Sequence, residues 1–115
     1  MIKNNNCTKY YSNKQEQHIA KALNGKTVSG SGCGKFYKGD VLTDTFLIEA
    51  KTCMKDKKSF SIKKEWLEKM QEQAFEQGKQ NSALVIDFGD GVNYYLRSER
   101  LFKELIQYIE EVSNW

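Results

Sequence analysis

Apolar residues recur at helical spacing in three stretches of the chain and cluster in strand-length runs in four others. Ser12-Asn13-Lys14-Gln15 fits a capping box, so a helix is expected to open at Ser12. Ile19, Ala20 and Leu23 form its apolar stripe, and Gly25 is placed to end it. One turn back, the same stripe reaches Glu16, a carboxylate on the face expected to be buried. Residues 28–39, with four glycines, two serines and two lysines, read as a loop. Asp40-Val41-Leu42 starts a strand, Thr43-Asp44 turns, and Phe46 to Lys51 returns. On that return strand Phe46, Ile48 and Ala50 share one face, while Leu47, Glu49 and Lys51 share the other.

Downstream, residues 62–77 have helical spacing, with Trp66, Leu67, Met70 and Ala74 inward and Gly78 at the end. Residues 82–88 and 92–97 read as strands around a Gly89-Asp90-Gly91 hairpin turn. Residues 99–112 form an amphipathic helix with Leu101, Phe102, Leu105, Ile106 and Ile109 as its apolar stripe. The predicted order is α-β-β-(β)-α-β-β-α, the bracketed strand being a short one near residues 59–62. This is an α/β fold with a mixed sheet flanked by helices.

With 115 residues the chain is one domain, and residues 1–10 are polar and expected to be flexible. No apolar run is long enough to span a bilayer, so no membrane association is expected. The first eleven residues hold no apolar stretch, which predicts no signal peptide and a cytoplasmic location. Cys7, Cys33 and Cys53 lack the spacing of a zinc site or a disulfide framework and read as reduced thiols. A cysteine nucleophile would need an activating partner, and the only histidine, His18, sits in the first helix, so no such pairing is expected.

Charge alters the picture more than composition does. Residues 1–64 hold thirteen lysines against five acids, a net +8. Residues 65–115 hold five basic residues against ten acids, a net −5. A basic face for a polyanion is expected. Lys55, Lys57, Lys58, Lys63 and Lys64 follow the central strand, and Lys35 and Lys38 lie in the glycine loop. These seven are the candidate DNA-contacting lysines, because phosphate contacts supply most non-specific affinity.

Four charged residues fall in awkward places: Glu16 on a buried helix face, Asp40 at a strand start, and Glu49 and Lys51 on one face of an apolar strand. An antiparallel hairpin brings position 40 near position 51 and its neighbours. Two carboxylates there, with the backbone carbonyl of Ala50, suit a hard cation such as Mg²⁺ or Mn²⁺. A lysine beside that cation orients water and stabilises charge on phosphate.

Gly39-Asp40 followed nine residues later by Glu49-Ala50-Lys51 resembles the PD-(D/E)XK nuclease superfamily. Within it the chain is most similar to small Holliday-junction resolvases of the archaeal type and their phage relatives, which carry a further glutamate in the first helix. They also carry a Gly/Ser-rich loop, which Ser29-Gly30-Ser31-Gly32 resembles. The resemblance implies a restriction-endonuclease-like fold. It makes Asp40 and Glu49 metal ligands, Lys51 the catalytic lysine and Glu16 an accessory metal or water ligand. Ser31 would contact the scissile phosphate. It also implies Mg²⁺ as cofactor, branched DNA as substrate, a homodimer with two sites, and a bacterial or phage-infected cytoplasm. The alternatives are a nicking, repair or restriction-type endonuclease on linear duplex, and a non-catalytic nucleic-acid-binding module.

Overall fold

The computed structural model describes residues 14–28, 40–53 and 56–114. Helix α1 covers residues 14–23. It is followed by β1 (Lys26–Thr27), β2 (Asp40–Leu42), β3 (Phe46–Thr52), α2 (Lys64–Glu76), β4 (Asn81–Asp87), β5 (Asn93–Leu96) and α3 (Glu99–Ser113). The five strands form one sheet in the order β1-β2-β3-β4-β5. Only β3 and β4 run parallel; the other neighbours are antiparallel. A parallel pair needs a long crossover, and α2 supplies it.

The alternation on β3 sorts the core into two layers. Ile48 and Ala50 pack with Val41, Ala83, Val85 and Ile19 of α1 on one face of the sheet. Leu47 packs with Leu84, Ile86 and Met70 and Ala74 of α2 on the other. The sheet is thus sandwiched between α1 and α2. Val41, Leu47, Ile48, Leu84 and Val85 are almost wholly enclosed, and truncating any one to alanine costs about 2–5 kcal/mol.

Several expectations need correction. The extra strand is Lys26–Thr27, not residues 59–62, which have no regular structure. Both residues of β1 are exposed, so no hydrophobic pattern announced it; pairing with Val41 and Leu42 alone defines it. Asn24, with φ 57°, takes the left-handed position that ends α1. Gly25 is needed for a different reason: a Cβ there would lie 2.7 Å from the carbonyl oxygen of Leu42. The Gln15 side chain is engaged with β3 and β5; the capping box expected with Ser12 lies outside the described residues. The remaining turns follow expectation. Gly78, Gly89 and Gly91 all have positive φ, and Ser98 caps α3 by accepting from Leu101 N–H at 3.2 Å.

Helix α3 departs furthest. Leu101 is buried, but every residue from Phe102 to Asn114 is exposed, including the rest of the stripe expected to face the core.

Candidate functional site at the β2–β3 fork

Strand β2 begins where Asp40 pairs with Glu49 of β3. From that register position β3 continues through Ala50, Lys51 and Thr52 with β4 on one side and no described β2 partner on the other. The described β2–β3 pairing reaches as far as the two acidic positions, and this end of it is called the fork here. Asp40 is described by its backbone, which places it directly across from Glu49.

Glu49 and Lys51 share a face, as the two-residue period requires. Their side chains lie 3.7 Å apart, Lys51 being 30% and Glu49 13% exposed. At that separation and exposure the pair contributes under about 1 kcal/mol, so it does not explain itself as a stabilising device. The Lys51 ammonium also sits 4.4 Å from the centre of the Trp66 ring, at the start of α2. An aromatic face restrains the cation without neutralising it. Trp66 in turn meets Phe60 edge to face at 6.5 Å, and Phe60 meets Phe88 at 6.0 Å. An aromatic wall therefore closes one side of Lys51.

Glu16 is 2% exposed, on the buried face where the stripe placed it. Its helix packs against the sheet face opposite Glu49 and Lys51. The first turn of α1 nevertheless reaches the fork. Gln15, 5% exposed, donates through Nε2 to the backbone carbonyl of Lys51 at 3.0 Å and to Asn93 Oδ1 at 3.3 Å. Its Oε1 is buried and has no partner among the described residues. Gln15 was not singled out from the sequence. The available signal was its position beside Glu16 on the inward arc of the helix, read there only as a cap.

Beside this contact lies a cavity of about 260 Å³ at the carboxyl ends of the parallel strands β3 and β4. Lys14, Gln15, His18, Cys53, Asp87 and Asn93 are among its lining residues. Crevices at such strand ends are where open α/β sheets take ligands. Asp87 is committed to structure, its Oδ1 accepting from the N–H groups of Gly89 and Gly91 at 2.8 and 3.0 Å. His18 and Cys53 both line the cavity, and no hydrogen bond joins them among the described residues.

Lys57, Lys58, Lys63 and Lys64 are exposed along the segment leading into α2. The N–H of Lys57 donates to the Phe88 carbonyl at 2.9 Å, which pins this basic segment beside the end of β4. Ser31, Lys35, Lys38 and Lys55 lie outside the described residues. So the fork brings together the Asp40 position, Glu49, Ala50 and Lys51. Gln15 fastens α1 to the same strand end, with Glu16 next to it.

Among the described residues no three His, Cys, Asp or Glu side chains form a group able to hold a metal. Glu49 is the one fork carboxylate whose side chain is described, and hard-cation coordination there calls on the Asp40 position and the Ala50 carbonyl as well. No helix among the described residues is long and apolar enough to cross a membrane. No family model, no curated protein and no solved structure matches the chain.

Proposed function

We propose that the chain is a metal-dependent endonuclease of the PD-(D/E)XK type that hydrolyses phosphodiester bonds in branched DNA, with a four-way junction as its substrate. The observation that carries this reading is the register of Asp40 against Glu49, with Lys51 two residues further along the same face. Two such charges at the end of an apolar central strand contribute little to its stability, under about 1 kcal/mol, and a chemical role accounts for their placement. Asp40, Glu49 and the Ala50 carbonyl supply oxygen ligands for Mg²⁺ or Mn²⁺. A cation so held would polarise the phosphate and lower the pKa of bound water. Lys51, held against Trp66, presents its ammonium to the scissile phosphate. Glu16 assists as an accessory ligand or water-orienting group, and Ser31 contacts phosphate. The lysines at 35, 38, 55, 57, 58, 63 and 64 hold the DNA backbone. Symmetric cutting of a junction requires two sites, hence a homodimer. A cytoplasmic location goes with this reading.

The binding-module alternative draws on the absence of a three-residue metal group among the described residues. One experiment separates the readings: cleavage of a labelled four-way junction and a matched linear duplex, with Mg²⁺, with chelator, and with Glu49→Ala. Metal-dependent cutting of the junction alone, lost in the variant, is expected. Equal cutting of both substrates would make the protein a linear-duplex endonuclease. Binding without cutting, in Mg²⁺ or Mn²⁺, would replace the nuclease with a binding module.

A further inference from the structure

Helix α3 presents a wide apolar face that the described chain does not cover. Phe102, Leu105, Ile106, Tyr108, Ile109 and Val112 are 36–67% exposed. Their positions follow the a/d spacing of a helix–helix seam, with Phe102 and Ile109 in one set and Leu105 and Val112 in the other. Beyond Leu101 the helix runs a further twelve residues to Ser113, or about 18 Å, without a buried side chain. A helix of this length is marginal in water unless its apolar face is packed.

The exposed stripe continues into the body of the domain. Leu105 is also a wall of an apolar groove of about 410 Å³ on the α1 side of the sheet, floored by Phe46, Ile48, Ala83 and Tyr95. Among the described residues Arg97 is the one charged residue lining that groove. Its guanidinium stacks 4.9 Å from the Phe102 ring at the root of the stripe.

We infer that the occupant is a second copy of this chain, with the two α3 helices packed antiparallel across a twofold axis near Gln107. Charge distribution selects this occupant and this direction. Arg97, Arg100 and Lys103 at the root of the helix face only Glu99 and Glu104, a net +1. The distal half carries Glu110 and Glu111 with no basic residue. Antiparallel pairing sets each acidic end beside the partner's basic root and opposes the two helix dipoles. Parallel pairing would set four glutamates together and align the dipoles. The stripe runs from Phe102 to Val112, so its midpoint falls at Gln107. Phe102 then packs on Val112 of the second copy, Leu105 on Ile109, and Lys103 lies level with Glu111. The six side chains leave roughly 500 Å² of apolar surface per chain, so two copies bury about 1,000 Å², the lower bound of a specific interface.

The pairing does not depend on the nuclease reading, and its test contains neither DNA nor metal. Sedimentation velocity of the full chain at micromolar concentration should give twice 13.3 kDa. Ile109→Glu should raise the dimer dissociation constant at least about 100-fold while the far-ultraviolet spectrum of the fold is retained. Should that variant unfold, Tyr108→Glu, at the most exposed position of the stripe, makes the same measurement. Lys103→Glu should weaken the dimer about tenfold, and Lys103→Glu combined with Glu111→Lys should restore it. Failure of that rescue would overturn the antiparallel geometry. A wild-type monomer would overturn the dimer. If that monomer also melted at lower temperature on Ile109→Glu, the cover would be another segment of the same chain. A persistent dimer in both stripe variants would move the interface elsewhere and refute the inference.

Discussion

Replacing Gln15 by methionine keeps the length and volume of the side chain but removes its amide. Two hydrogen bonds are lost, a good one to the Lys51 carbonyl at 3.0 Å and a weaker one to Asn93 Oδ1 at 3.3 Å. Each is worth about 0.5–1.5 kcal/mol net. The buried Oε1, which has no partner among the described residues, is lost too, and its removal returns up to about 1 kcal/mol. The balance is a destabilisation of about 1–2 kcal/mol, because the Lys51 carbonyl then loses its donor. For a domain of this size that lowers Tm by about 4–8 °C, measurable by calorimetry. Gln15→Glu should cost more at neutral pH. An ionised carboxylate has no donor and would face two acceptors in a buried site. Its deficit should shrink as pH falls, since protonation restores one donor. Junction cleavage should fall in Gln15→Met more than Tm alone accounts for at assay temperature, because the lost bond holds the backbone of Lys51. An unchanged or raised Tm in Gln15→Met would refute the claim that Gln15 fastens α1 to the fork.

The other predictions concern charge and burial. Lys51→Ala should abolish cleavage and leave junction affinity within about threefold, as judged by parallel cleavage and gel-shift assays, and Asp40→Asn should lose metal-dependent activity. Normal cutting by Lys51→Ala would mean that the chemistry is elsewhere. Neutralising Lys55, Lys57 and Lys58 together should weaken binding to all DNA sequences alike. It should also lower the slope of log affinity against log salt by up to about 3, which fluorescence anisotropy across a salt series would read. Burial pushes the Tyr95 phenol above its ordinary value of 10.0. The folded chain therefore holds that proton more tightly than the unfolded chain does. Its contribution to stability is complete below pH 10 and is lost as pH rises through the folded value. The late part of the phenolate absorbance titration should be lost in Tyr95→Phe, and with it that part of the alkaline fall in Tm.

Most of the sheet was legible because its strands are buried and carry strong patterns. The alternation of Phe46, Ile48 and Ala50 against Leu47, Glu49 and Lys51 separates the two core layers, with α1 over one and α2 over the other. Glycine marked the turns at 78, 89 and 91 because positive φ is costly for other residues. What escaped were features with no local signal. Strand β1 is two exposed residues held by pairing alone. The end of α1 was assigned to Gly25, whereas Asn24 turns the chain and Gly25 answers to the nearness of β2. Periodicity detects an amphipathic face but not its partner, which is why the stripe of α3 was expected to pack inward.

The fork shows the same limit from the functional side. Strand alternation alone put Glu49 and Lys51 on one face, and the hairpin turn alone put Asp40 near them; both relations are local, and the structure adds the pairing of Asp40 with Glu49. Helix α1 reaches the fork by a contact across 36 residues, from Gln15 to the Lys51 carbonyl. A glutamine near a helix start gives no local sign of a strand partner, and only tertiary structure shows its amide spent on the Lys51 carbonyl. Glu16, next to it, lies on a helix that packs on the sheet face opposite Glu49 and Lys51. Which face α1 covers, and with it the side on which Glu16 lies, is likewise decided by tertiary packing and not by the local pattern.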